Sequence, residues 1–401
     1  MKLIRVLANH SFRNIWLGSL LSQTGSQVSR IGLILYVFNT SGSVLNLALL
    51  VTLEMLPGAV IAPLAGAVID RASKGAVMIA ADLARMAVML AIVIWPTMTV
   101  IYVMAALHSI ATAFHQPAKT ASIPLIVRKK DLSRANGIDQ SASNLVLIVG
   151  PVIGAELAIN IGLSATLIVD ALSFLASSLF ISQVKIYRVK REEIELSVGG
   201  AVGEIKEGWN YLARHRLALH LNVLLFIGLL CTGTWMPLAP FFVRDYLGGT
   251  EELLGWQLGI FGLGAVLGGA VAPRVVDRFG TGATLFGGFL GEAVCESLYA
   301  LVPNARASTV IIFFWGIAVS VASVPFYSIL QSVVDERFFG RVFSVVKQSE
   351  SLAVVLAMAV AVLLQNLLAT HLVFLLAGLF YLGFAAASSL SNGGRALLAT
   401  R

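Results

Sequence analysis

Charge is what this sequence has least of. Asp, Glu, Lys and Arg together make up 12% of its 401 residues, against about 25% in an ordinary soluble domain. With 58% of the chain hydrophobic, too few charges remain to coat a water-exposed surface, which argues against a soluble enzyme; a lipid-facing surface needs none. Cysteine is also scarce. Cys231 and Cys295 both fall inside apolar runs, so neither a disulfide framework nor a cysteine metal site is indicated. The chain lacks a Gly-x-x-x-x-Gly-Lys-Ser/Thr loop, a His-Glu-x-x-His pair and a Gly-x-Ser-x-Gly elbow. The sequence signs of ATP drive, zinc proteolysis and hydrolase chemistry are therefore missing, and no cofactor is expected.

What it has instead is apolar runs long enough to cross a membrane. One span needs about 20 predominantly apolar residues. Such runs occupy 14–38, 44–68, 76–95, 98–121, 137–160 and 162–183, then 217–242, 253–276, 283–302, 308–331, 342–368 and 371–391. They predict an all-α integral membrane protein of twelve transmembrane helices. The first run follows Lys2, Arg5 and Arg13 without an Ala-x-Ala-like cleavage site, so it is read as a retained span.

The formal charge of +7 needs a location before it means anything. With both termini in the cytoplasm, the inner connections carry Arg71, Lys74, Lys119, Arg128 to Lys130, Arg134 and a basic cluster from Lys185 to Arg216. The outer connections carry only Arg244 and Arg306. This is the positive-inside pattern of a multi-pass protein of the bacterial inner membrane, and no nucleic-acid partner is expected.

The longest polar stretch, 184–216, divides an N-terminal half (1–183) from a C-terminal half (217–401). Within it Ile205, Trp209 and Leu212 share one helical face, the pattern of an amphipathic helix at the inner surface. The halves echo each other. Asp70-Arg71 precedes Gly75 between spans two and three, and Asp277-Arg278 precedes Gly282 between spans eight and nine. Two parallel six-helix pseudo-repeats can rock about a shared cavity, which points to a transporter.

The run Gly66-Ala67-Val68-Ile69-Asp70-Arg71-Ala72-Ser73-Lys74 resembles the inner-loop signature of the major facilitator superfamily. Gly150-Pro151-Val152-Ile153-Gly154-Ala155 resembles the motif of its antiporter branch, with Ala155 for the last glycine. Asp82-Leu83-Ala84-Arg85, Gln116-Pro117-Ala118-Lys119, Leu132-Ser133-Arg134-Ala135-Asn136-Gly137 and Gly340-Arg341-Val342-Phe343-Ser344 are similar to the macrolide and enterobactin exporters among the drug:proton antiporters. That likeness runs from about Asn9 to Ser391. It implies the major facilitator fold, a small amphiphilic substrate, protons as the driving ion and membrane lipids as surroundings; a monomer is expected. It also implies a cytoplasmic gate of Gly66, Asp70, Arg71 and Lys74, echoed by Asp277 and Arg278. Physically, Gly66 would permit close helix approach, while Pro151 between Gly150 and Gly154 would bend span five and let a neighbour come near. The pattern departs at one place. Relatives often carry Asp after the glycine of Ser-x-x-Gly-Asp in span one, where this chain reads Ser22-Gln23-Thr24-Gly25-Ser26.

An ionisable group at membrane depth is a functional candidate by default. Glu54 in span two and Arg30 in span one come to similar depth and can pair. Lys347 and Glu350 are spaced to bridge on span eleven. Glu292 and Glu296 repeat one turn apart on span nine without a cation nearby in sequence, and two such carboxyls favour protonation of one. These six are the proton-coupling candidates. Asp82 and Arg85 read as braces for the gate, Asp139 as solvated or paired with Arg134, and Glu156 and Asp170 find no partner. His108 and His115 lack further zinc ligands. Ser26 and Gln23, with Trp235 and Phe241 of span seven, are candidates for the cavity; Trp16, Trp95, Trp256 and Trp315 read as interfacial anchors.

These features favour a proton-driven exporter of an amphiphilic compound. The missing span-one Asp keeps open a lysophospholipid or siderophore carrier without strict proton coupling. A non-transporting sensor or scaffold is a third reading, and a membrane-embedded enzyme finds no motif.

Overall fold

A computed structural model describes residues 4–128, 131–184, 198–335 and 338–398. After a short α1 (Ile4–Leu7), six long helices follow: α2 (His10–Ser41), α3 (Val44–Arg71), α4 (Lys74–Ile94), α5 (Met98–Ile126), α6 (Leu132–Asn160) and α7 (Leu163–Ser182). Next come α8 (Val198–Arg214), α9 (Arg216–Thr232) and α10 (Trp235–Phe241), the last continued by a π-helical turn over Phe242–Tyr246. The chain ends with α11 (Glu251–Phe279), α12 (Thr281–Leu301), α13 (Ala305–Val333), α14 (Phe339–Gln365), α15 (Thr370–Leu390) and the short α16 (Asn392–Leu398).

Local chemistry sets the ends of these helices. Asn9 accepts from the Phe12 amide and caps α2, Thr97 caps α5, and Asn304 accepts from the Arg306 and Ala307 amides to start α13. Gly280 joins α11 to α12 at φ 86°, a left-handed conformation that a residue with a Cβ resists.

Nine helical stretches among the described residues are apolar and long enough to cross a bilayer. The other predicted spans fall on α2, α6 and α12, which are 32, 29 and 21 residues long. α6 shows a shorter apolar stretch over Leu145–Asn160 among its described residues, and polar side chains dilute the apolar character of α2 and α12. In α2 these are the serines, threonine and glutamines between Ser19 and Ser29, and in α12 they are Glu292 and Glu296.

The chain forms two compact units, Met1–Gly42 with Leu49–Ala201 and Ser43–Ala48 with Val202–Arg401. In the first, α2 packs on α6 and α7, and α4 packs on α5 and α7. In the second, α9 packs on α14 and α15, α12 on α13 and α15, and α11 on α13. Each unit exposes apolar side chains along its helices, such as Leu172 and Leu179 on α7 and Leu376 and Phe380 on α15. Lipid accepts such faces.

The amphipathic helix appears as α8, although its face divides. Leu212 is buried in the core of the second unit with Val342 and Val345, while Trp209 points outward at 41% exposure. The helix docks through Tyr211, which stacks on Phe338 and accepts from the Asp335 amide, and through a 2.7 Å ion pair from Glu207 to Arg341. The Ile205 side chain and residues 185–197 of the basic cluster lie outside the described residues.

Candidate functional site

In the first unit, Gly18, Gly25 and Gly32 recur every seven residues along α2. Opposite them on α7 lie Ser177, then Ser173 with Asp170, then Thr166, in reverse order. A Cβ on Gly18 would stand 3.1 Å from Ser177 Oγ, and one on Gly25 would stand 2.7 Å from Asp170 Oδ1. Only glycine allows so close a seam. It delivers the fully buried Asp170 to the serine face of α2. Ser29 Oγ donates to Asp170 Oδ2 at 2.5 Å, and Asp170 Oδ1 accepts from Ser173 Oγ at 3.2 Å and Ser26 Oγ at 3.5 Å.

Beside this group, α4 presents Arg85, which pairs with Asp82 and lies 4.4 Å from the Phe174 ring centroid. His115 of α5 brings Nε2 to 3.4 Å from Asp82 Oδ1. Asp82, Arg85, His115 and Asp170 are all buried. Four helices thus join two acids, one guanidinium, one imidazole and three serines inside one unit. Asp82 and Arg85 are part of this interior cluster, contrary to the expectation that they brace the gate. His108 sits against Phe174, with ring centroids 5.9 Å apart. No group of three metal-ligating side chains occurs among the described residues.

Arg30 and Glu54 do meet, Nε to Oε2 at 3.2 Å, joining α2 to α3. Asp139 pairs with Lys119 at 2.7 Å; Arg134 takes Asp131 instead, at 3.0 Å. Glu156 accepts from the Asn160 amide at 2.8 Å on an exposed turn. α6 continues through Pro151, and the flanking glycines bring it onto α2. A Cβ on Gly150 would stand 2.5 Å from Gln27 Cβ, and one on Gly154 would stand 2.9 Å from the Val28 carbonyl. Gln23 is half-buried.

At the predicted gate, a Cβ on Gly66 would meet nothing within 4 Å among the described residues. Lys74 opens α4, and the side chains of Asp70 and Arg71 lie outside the described residues. Asp277 and Arg278 are exposed in the last turn of α11, with the Arg278 guanidinium 5.3 Å from the Phe279 ring centroid.

In the second unit, Glu292 and Glu296 lie on α12 at 7% and 0% exposure. Tyr381 donates to Glu292 Oε2 at 3.4 Å, while neither oxygen of Glu296 has a hydrogen-bond partner among the described residues. Glu292 opens on a cavity bounded by α9, α12, α13 and α15 and lined also by Phe289, Phe326, Tyr327 and Tyr381. Lys347 and Glu350 bridge at 2.6 Å on α14 as their spacing predicts, and Tyr327 of α13 joins them by donating to Glu350 at 3.0 Å. Trp235 and Phe241 do not line this cavity. Trp235 packs edge-on against Trp315, and Phe241 is buried beneath the Arg244 guanidinium. Trp315 is itself buried, in an aromatic cluster with Tyr299 and Phe261, so it is no interfacial anchor.

The sequence names no partner for Asp170, because its contacts from Ser26 and Ser29 come from another helix. The seven-residue glycine period on α2 was the available signal. It marks the face that takes the closest neighbour.

The sequence pattern of the Major Facilitator Superfamily matches residues 15–356, and again 222–392. The macrolide efflux protein A of Streptococcus pyogenes is 28% identical over 384 residues, covering 92% of each chain. The multidrug efflux pump Tap of Mycolicibacterium fortuitum is 23% identical over 90% of each. Among solved structures, a bacterial homologue of the iron transporter ferroportin, in an inward-facing state, superposes with a TM-score of 0.77 at 13% identity, over 95% of this chain and 99% of that one. The chain belongs to the Major Facilitator Superfamily and is a multi-pass membrane transporter.

Proposed function

We propose that this transporter exports an amphiphilic organic compound across a bacterial inner membrane by alternating access, driven by protons. The observation that carries this reading is the likeness over 92% of both chains to a macrolide efflux protein. Twelve spans with both termini inside fit the distribution of Lys and Arg. Corresponding helix pairs in the two units support the two pseudo-repeats. The first helix of each set packs on the fifth and sixth, and the third packs on the fourth and sixth. Asp70, Arg71 and Lys74, with Asp277 and Arg278, form the cytoplasmic gate in this reading.

Coupling is assigned to Glu54, because the Arg30–Glu54 pair links two different helices through one ion-pair contact that a relative shift of α2 and α3 breaks. A carrier without strict proton coupling rested on the missing span-one Asp. Asp170 lies beside Ser26, however, so the position has a carboxylate neighbour from α7.

The test is reconstitution of the full chain into proteoliposomes, inside-out, loaded by an imposed pH gradient. Accumulation of a macrolide that collapses when a protonophore removes the gradient supports the proposal. Equal fluxes with and without the gradient would exclude proton drive.

A further inference from the structure

In the first unit, the backbone ladder of α3 is interrupted just after Glu54. Pro57 has no amide to give the Leu53 carbonyl, and a proline inside a helix is where bending starts. The next amide, that of Gly58, donates across to Ser109 Oγ of α5 at 3.0 Å. The two helices come backbone to backbone here, since a Cβ on Gly58 would stand 2.6 Å from the Ser109 carbonyl oxygen. Ser109 is itself buried. An acceptor at this place lets the helix open beside the proline without stranding a buried amide, which would otherwise be costly.

The two arms of α3 are tied differently. Beyond the break, Ala65 and Ile69 are buried in a core with Ile15, Met78, Ala118 and Ile181, contributed by four other helices, which seats the inner arm. Before it, Leu50 and Val51 are buried through apolar contacts, which have no preferred direction. The directional tie of the outer arm is the 3.2 Å pair between Glu54 and Arg30 of α2. A bend at the break moves Glu54 against a seated inner arm, and the ion pair is the contact it costs.

We propose that Leu53–Gly58 is the hinge of span two, with Ser109 of α5 as its pivot, and that bending there parts Glu54 from Arg30. Ser109 is a positioning residue, acting on the pair through the Gly58 amide. The inference rests on the coupling reading only in taking that parting as a step of transport.

Double electron–electron resonance on the full chain in nanodiscs tests it, with Cys231 and Cys295 replaced by serine. Spin labels go on the outer arm at Leu49→Cys and on α5 at Val103→Cys, both exposed positions. Glu54→Gln removes the tie and leaves the hinge. Leu49 lies about 12 Å along the helix from Pro57, so a proline bend of about 25° carries its label about 5 Å. Glu54→Gln should shift the Leu49–Val103 distance on that scale. A second pair on the seated arm, Val68→Cys with Leu125→Cys, should keep its distance. Pro57→Ala restores the missing amide and should abolish the shift, and Ser109→Ala should at least halve it. An unshifted Glu54→Gln protein overturns the hinge. An equal shift of both label pairs does so too, because α3 would then move as one rod; neither comparison needs Pro57→Ala or Ser109→Ala to fold. A shift that survives Pro57→Ala also overturns the hinge, and one unchanged by Ser109→Ala removes the pivot. Proton-driven export by the unlabelled chain, measured in parallel, separates the readings. A shift without such export leaves the hinge and removes the coupling reading, whereas export without a shift removes the hinge and leaves the exporter.

Discussion

Ser29 on α2 and Asp170 on α7 share a 2.5 Å hydrogen bond inside the first unit, and Ser26 reaches the other oxygen of the same carboxylate. Asp170 thus brings a carboxylate from α7 to the Ser26 position of α2. Ser26→Asp would set two acids against each other in a buried site. We expect it to cost about 3 kcal/mol, the scale of an uncompensated buried charge. The double variant Ser26→Asp/Asp170→Ser should recover most of that loss. Thermal unfolding in detergent measures both, and a single variant as stable as the double would deny the exchange.

Arg85 is the guanidinium of this cluster, paired with Asp82 and within electrostatic reach of Asp170. Arg85→Met fits the volume but strands two buried acids, so a loss of about 3–5 kcal/mol is expected. Adding Asp82→Asn should restore part of it. If the two substitutions are simply additive, the cluster is not one network.

Two glycines should respond oppositely to the same change. Gly25→Ala drives a methyl into Ser173 and Asp170, and overpacking of this kind costs about 1–3 kcal/mol. Gly66→Ala faces open space and should leave the unfolding midpoint unchanged while gaining a little helix propensity. A destabilised Gly66→Ala would return this residue to the close-packing role its motif implies.

Orientation rests on the positive-inside distribution alone and can be tested directly. In a background without Cys231 and Cys295, Thr250→Cys should react with a membrane-impermeant maleimide in intact cells, and Lys206→Cys should react only after permeabilisation. The opposite pattern inverts the topology.

Helix boundaries were legible because each span is a long apolar run, and the i, i+3 and i, i+4 pairs because one helix carries both members. Lys347–Glu350 is the example. Arg30–Glu54 was readable through depth along two adjacent spans. Asp170 with Ser29, His115 with Asp82, and Lys119 with Asp139 were not, because each depends on which faces of separate helices meet. Trp315 misled for the same reason, since an aromatic near a span end reads as an anchor until its neighbours are known. The cavity beside Glu292 draws its walls from four helices, and no spacing along one of them announces it.

Glu54 carries the last prediction. Its ion pair with Arg30 spans α2 and α3, so motion of one helix past the other exchanges the arginine for water, and a freed carboxylate can take a proton. Return of Arg30 would expel that proton on the other side. Glu54→Gln keeps the shape and removes the acid, so accumulation against a gradient should disappear while downhill exchange of substrate persists. The variant also strips Arg30 of this carboxylate, and that alone could stall the carrier. Arg30→Gln/Glu54→Gln removes both charges and resolves the question. Uphill export that stays absent in the double variant assigns the proton to Glu54. Uphill export that returns there makes the pair a structural tie, and coupling then belongs to another acid, with Asp170 the first to test.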